Sequence, residues 1–143
     1  YEAKKRAGVP GKVIGICHSE KSTKRMEELG FCDVVFSADA TQPVPVMKKI
    51  EELTNGQMAD ICINNVNIPD TEMTSILVTK NTGIVYFFSM ATSFTKAALG
   101  AEGVGSDVTM IVGNGYTKGH AEITLQELRE CEKLRKIFTE LYA

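Results

Sequence analysis

Short runs of apolar residues alternate along this chain with longer stretches whose apolar positions recur every three or four residues. Lys12-Val13-Ile14-Gly15-Ile16-Cys17 predicts a buried strand over 12–17. Ser19 stands where a helix N-cap belongs, Met26 and Leu29 share a face, and Gly30 supplies the stop. Asp33-Val34-Val35-Phe36 predicts a second strand. Pro43 and Pro45 lead into a helix with Val46, Ile50 and Leu53 on one face, closed by Asn55-Gly56. Ala59 to Asn64 predicts a third strand. Asp70 or Thr71 starts a helix that turns Met73, Ile76 and Leu77 inward, and Asn81 to Gly83 reads as a turn. Ile84 to Phe88 is apolar throughout and β-branched or aromatic, the composition of a strand. A short helix over Ser93 to Leu99 precedes a fifth strand, Val108 to Val112. Thr124-x-x-Glu127 is a capping-box pattern that predicts one long helix burying Leu125, Leu128, Cys131, Leu134, Phe138 and Leu141.

Strand then helix, repeated, with continuously apolar strands, predicts a doubly wound, mainly parallel α/β sheet buried on both faces. The 143 residues fit one domain, expected to span 1–143 as a nucleotide-binding, Rossmann-like unit. With 16 basic against 18 acidic residues the chain lacks the basic excess of a general nucleic-acid binder. No apolar stretch approaches the ~18 residues of a membrane span. The opening Tyr1 to Arg6 has no apolar core or cleavage site of a signal peptide. It reads as the end of a helix, so a fragment of a longer chain is expected. Cys17, Cys32, Cys62 and Cys131 form no C-x-x-C pair, which predicts reduced, buried thiols in a cytoplasmic protein. With only His18 and His120 beside them, no metal site is expected.

Ligands of doubly wound sheets bind beyond the carboxyl ends of the strands. That rule selects Cys17-His18-Ser19, Asn64-Asn65-Val66-Asn67, Ser89-Met90 and Gly113-Asn114-Gly115. Each segment alone also reads as an ordinary βα turn; four at equivalent positions favour a binding edge. His18 suits either a phosphate contact or a solvated turn. His120 reads as a residue of an exposed loop. Lys21, Lys24 and Arg25 read as the wet face of a helix, with Lys21 within reach of a ribose 2′-phosphate. A G-x-G-x-x-G turn is absent, and Gly103 and Gly105 lie in the wrong context for one. No nucleophile–base pair or carboxylate pair is defined by spacing, so no catalytic residue is assigned.

The order K-V-I-G-I-C-H-S-E-K, E-E-L-G-F-C-D-V-V-F, then I-E-E-L-T-N-G-Q-M-A-D-I-C-I-N-N-V resembles the cofactor domain of medium-chain dehydrogenases of the zinc alcohol dehydrogenase superfamily. The likeness runs from about Gly11 to Tyr116. Phe94 to Glu122 is similar to a narrower group within it, amino-acid dehydrogenases of lysine fermentation. That resemblance implies oxidation of the 3-amino group of 3,5-diaminohexanoate to 5-amino-3-oxohexanoate, with release of ammonia and reduction of NAD or NADP. With the carboxyl-edge rule added, a nicotinamide cofactor is expected to contact Cys17, His18, Ser19, Asn65, Val66, Ser89, Met90, Gly113 and Asn114. The resemblance also implies a homodimer formed through the last strand, and catalytic and zinc-ligating residues in another domain. The pattern departs from NAD-dependent relatives at Cys17, where many carry an acidic residue for the ribose hydroxyls. Another medium-chain quinone or enoyl reductase, or a nucleotide-binding module without catalysis, is the alternative. In the strand order 3-2-1-4-5-6 the first strand and its glycine turn are missing from this chain. The gap between the strands at 12–17 and 59–64 is expected to close by direct pairing, by another chain or by a further segment.

Overall fold

Strands form where the five apolar runs lie, and every pairing among them is parallel. The computed structural model describes residues 1–6, 8, 10–113 and 116–143. It divides into two compact units, 1–38 with 116–143, and 39–115.

In the first unit, β1 (Ile14–Cys17) pairs with β2 (Val34–Ser37). A π-helical turn over Glu2–Arg6 precedes them. Asp33 fastens the start of the pair. Its carboxylate accepts from the Val13 N–H at 2.7 Å and meets the Lys4 ammonium at 2.8 Å. Lys4 first, and Val13 second, hold the Asp33 carboxyl below its ordinary range. Helix α1 (Glu20–Leu29) begins at Ser19 and ends at Gly30, whose φ of 70° is the left-handed conformation that glycine adopts without strain. Lys133 Nζ donates to the Glu28 and Leu29 carbonyls at 2.8 and 3.2 Å, closing the same helix end with a cation.

The long helix that Thr124-x-x-Glu127 predicts is two helices, α5 (His120–Glu130) and α6 (Glu132–Tyr142). Thr124 lies inside α5, its hydroxyl donating to the His120 carbonyl. Cys131 is extended at the break (φ −118°, ψ 103°) and buried. Arg135 Nη1 donates to the Leu128 carbonyl at 3.0 Å and to that of Arg129 at 3.4 Å, so two carbonyls that helix termination would orphan are satisfied. Of the expected inward face, Leu125, Phe138 and Leu141 are exposed instead, and Leu128 and Leu134 are half-buried.

In the second unit, β3 (Ala59–Asn64), β4 (Thr79–Phe87) and β5 (Thr109–Val112) form a sheet in the order β3-β4-β5. Helix α2 (Pro43–Leu53) buries Val46 and Ile50 and starts with proline, whose fixed φ suits a first helical turn. Helices α3 (Glu72–Leu77) and α4 (Phe94–Gly103) follow β3 and β4. Val85 and Phe87 pack with Ala97 of α4, joined by Val108 and Met110. In α3 only Ile76 of the expected Met73, Ile76 and Leu77 is fully buried, and it is buried beside Glu72, Thr74 and Ser75.

Register sets Ile61, Ile84 and Thr109 side by side, and likewise Ile63, Tyr86 and Ile111. Neighbours in register share a face, so these residues form the face opposite Val85 and Phe87. Ile61 is 59% exposed, Ile63 61% and Ile111 41%. The expectation of burial on both faces therefore fails for this sheet within its own unit, because α3 and α4 pack on the same side. Among the described residues β1 pairs with β2, and β3 with β4. No helix among the described residues is long and apolar enough to cross a membrane.

The expected turn at Asn81 to Gly83 lies inside β4 as a bulge. Between the pairs Ala59↔Thr79 and Ile61↔Ile84, β3 advances by two residues and β4 by five. Thr82 takes a φ of 67°, and Lys80 pairs with Asp60, whose carboxyl the ammonium holds below its ordinary range. A Cβ on buried Gly83 would lie 2.8 Å from the Lys80 carbonyl oxygen and 3.0 Å from that of Asp60. Gly83→Ala is expected to destabilise the protein by about 1–3 kcal/mol, since two backbone atoms must give way. Urea unfolding measures it, and an unchanged midpoint would refute the bulge geometry.

Candidate functional site

Each βα turn of the second unit opens backbone groups that the sheet ladder no longer pairs. The ladder runs one step past the strands: the Phe88 N–H donates to the Asn64 carbonyl and the Gly113 N–H to that of Phe87, both at 2.9 Å. The segments at Asn64–Asn67, Ser89–Met90 and Gly113 are thereby set along one edge. Asn64 is 5% exposed and organises the first turn. Its Nδ2 donates to Thr71 Oγ1 and Ser75 Oγ, each at 2.9 Å, and its Oδ1 accepts from the Val66 N–H at 3.0 Å. Asn65 and Asn67 are exposed, and Val66 is half-buried. In the second turn Ser89 Oγ accepts from the Ala91 N–H at 3.1 Å, while the Met90 side chain is 99% exposed.

Gly113 closes the edge. A Cβ there would lie 2.6 Å from Phe88 Cδ2 and 2.7 Å from the Tyr86 hydroxyl, so the two stacked rings leave room for backbone alone. Asn114 and Gly115 lie outside the described residues. Thr92 Oγ1, in the second turn, is buried without a partner among the described residues. An open backbone edge with small and amide side chains and an unmatched hydroxyl fits a polar group that docks against main chain.

In the first unit Cys17 ends β1 half-buried, and its carbonyl accepts from the Ala38 N–H at 2.8 Å. His18 is exposed. Ser19 is the N-cap as expected, in a reciprocal box with Ser22. Its Oγ accepts from the Ser22 N–H, and Ser22 Oγ from the Ser19 N–H, each at 3.2 Å. Arg25 faces Glu140 at 3.7 Å, and Lys21 and Lys24 are exposed. His120, expected in a loop, heads α5, with Nδ1 2.7 Å from the Thr117 carbonyl and its ring edge-on to Tyr116. All four cysteines are free, but only Cys131 is fully buried. Burial still pushes the Cys62 thiol up, against the pull of the Ser75 and Thr79 hydroxyls.

Glu72 was not among the candidate residues. Its carboxylate, 3% exposed, accepts from the Ser93 N–H at 2.6 Å. Lys96, at the third position of α4, was the available clue, since it offers no acceptor where a capping box needs one.

Residues 2–102 match the family model described as zinc-binding dehydrogenase. The chain is 59% identical over 142 residues to L-erythro-3,5-diaminohexanoate dehydrogenase of Acetoanaerobium sticklandii, covering 99% of this chain and 41% of that protein. It is 54% identical, over the same shares, to the protein of that name in Fusobacterium nucleatum subsp. nucleatum. The chain thus spans 41% of the length of the curated relatives it matches. Among solved structures, the alcohol dehydrogenase of Aeropyrum pernix superposes with a TM-score of 0.65 at 20% identity, over 90% of this chain and 35% of that one, a likeness of fold. The described residues hold no group of three His, Cys, Asp or Glu that could hold a metal ion.

Asn64→Ala would strip the Val66 N–H of its acceptor and two buried hydroxyls of a shared donor. The expected cost is about 1–3 kcal/mol, read from chemical unfolding. A loss below a few tenths of a kcal/mol would show that the amide does not organise this turn.

Proposed function

The chain belongs to the zinc-binding dehydrogenase family, and on that premise we propose that it is the cofactor-binding part of an amino-acid dehydrogenase. The full-length enzyme oxidises the 3-amino group of 3,5-diaminohexanoate to 5-amino-3-oxohexanoate with release of ammonia. The observation that carries this reading is the likeness, along nearly the whole chain, to two diaminohexanoate dehydrogenases. A bound nicotinamide supplies the hydride acceptor. C3 would lose its hydrogen as hydride to that acceptor and the amine nitrogen a proton, leaving a C3–N double bond. Water would then add at C3 and ammonia leave, so that the ketone oxygen comes from water.

The chain's own part is to hold and orient. Asn65, Val66, Ser89, Met90 and Gly113 contact the nicotinamide end, and Asn114, outside the described residues, is assigned there from the sequence rule alone. Backbone N–H and carbonyl groups of these turns do most of the binding there. Cys17, His18 and Ser19 face the ribose. The Ser19 hydroxyl is engaged with Ser22, which leaves the neutral Cys17 and the exposed His18 as the groups that discriminate. Exposed Ile111 and Val112 on β5 support a homodimer through that strand. The four free thiols support a cytoplasmic setting.

The direct test is the full-length protein with 3,5-diaminohexanoate and NAD or NADP. Substrate-dependent absorbance at 340 nm with stoichiometric ammonia is expected, and its absence would refute the reading. Cys17→Asp is expected to shift the ratio of kcat/KM for NAD over NADP by at least about tenfold. A carboxylate pairs with the ribose hydroxyls and repels a 2′-phosphate, a charged hydrogen bond being worth about 1.5–3 kcal/mol. An unchanged ratio would place the ribose elsewhere. The Gly113 N–H turns inward to β4, so the N–H of Val112 before it turns to the free side of β5. Val112→Pro removes that donor and is expected to shift the enzyme toward monomer in size-exclusion chromatography. A folded variant that elutes as the wild type does would exclude β5 from the dimer.

A further inference from the structure

The amino end of α4 carries two faults that its own residues leave uncorrected. Ser93 caps it, with Oγ accepting from the Lys96 N–H at 3.3 Å. In a reciprocal cap the third helical residue returns an acceptor to the N-cap N–H. Here that residue is Lys96, which has donors only. Its charge also lies at the positive end of the helix dipole, where a cation is disfavoured. Both faults are repaired from the β3–α3 turn. Glu72 Oε1 accepts from the Ser93 N–H at 2.6 Å, and Asp70 pairs with the Lys96 ammonium. Glu72 is 3% exposed, so its carboxylate depends on that donor rather than on water. Asp70 and Glu72 flank Thr71, whose hydroxyl accepts from the Asn64 amide. One side of the turn is therefore fixed to β3 and the other to the start of α4.

We infer that Glu72 is a positioning residue whose carboxylate locks the Ser89–Ser93 turn to the Asn65–Thr71 turn, so that a cofactor engaging either finds the other in place. The inference rests on the reading that these turns receive the nicotinamide end. It assigns Glu72 more than a helix cap, and the two roles separate experimentally. Lys96→Gln gives α4 a local acceptor of the capping-box kind, so it repairs the cap without restoring the tie between the turns.

The test compares the full-length wild type, Glu72→Gln, Glu72→Ala, Lys96→Gln and the double variant Glu72→Ala/Lys96→Gln. Lys96→Gln alone loses only the Asp70 pair. It is expected to keep wild-type exchange over 65–71 within about threefold, and a loss there equal to that of the double variant would overturn the inference. Amide hydrogen exchange is followed without ligand, and NADH binding by nicotinamide fluorescence. Glu72→Gln keeps a carbonyl acceptor and is expected to stay within about threefold of the wild type in both. Glu72→Ala is expected to speed exchange at least tenfold over 89–96 and over 65–71, and to raise the Kd for NADH at least fivefold. The double variant is expected to regain protection over 89–96 alone, with 65–71 and the Kd still impaired. Should Glu72→Ala fail to fold, the double variant carries the comparison. Recovery of both segments and of the Kd in the double variant would reduce Glu72 to a helix cap and overturn the inference. So would wild-type exchange in Glu72→Ala. A wild type that binds no NADH would refute the cofactor reading instead, and exchange over 65–71 would then decide the role of Glu72 by itself.

Discussion

A chain leaving a parallel sheet must satisfy, within a few residues, the backbone groups that the ladder no longer pairs, and here one buried amide takes the first of them, the Val66 N–H, and ties two buried hydroxyls to it. Asn64 joins the end of β3 to Val66, Thr71 and Ser75 through both ends of its side chain. The same turn then presents Glu72 and Asp70 to the next one. The carboxyl edge is therefore held by side chains that a ligand would not need to touch. Buried polar groups of this kind are costly when unmatched, which makes the arrangement all-or-none: removing one partner strands several others.

The strands were legible because each is an apolar run too short for a helix and bounded by polar or turn-forming residues. The carboxyl-edge rule then pointed to Asn65, Ser89 and Gly113 without knowledge of any contact, and those segments do lie along one edge. Periodicity misled where burial is not apolar. Helix α3 buries Glu72, Thr74 and Ser75 beside Ile76, because its inward side serves the turns as well as the core. Leu125, Phe138 and Leu141 repeat at helical spacing, but the spacing is interrupted by an extended Cys131. Nothing in the local pattern marks that break; the guanidinium that makes it tolerable comes from Arg135, after the break.

The two sheets differ in what each unit covers. In the three-stranded sheet the apolar strands predict burial on both faces, yet within this unit Ile61, Ile63 and Ile111 are exposed, because the helices that follow β3 and β4 serve the face of Val85 and Phe87.

The bulge in β4 separates the two ends of the sheet in a way that matters for how such a sequence can drift. Five residues of β4 span what two residues of β3 span, yet from Ile84 onward the register is unbroken through Phe87. The amino end of the strand thus acts as slack. Changes of length accommodated before Ile84 leave the spacing of Asn64, Phe88 and Gly113 untouched, whereas a one-residue insertion after it would turn every later side chain of β4 to the opposite face. Loop-length variation among homologues should therefore collect at the amino end, and the carboxyl edge should stay fixed in length even where its residues differ.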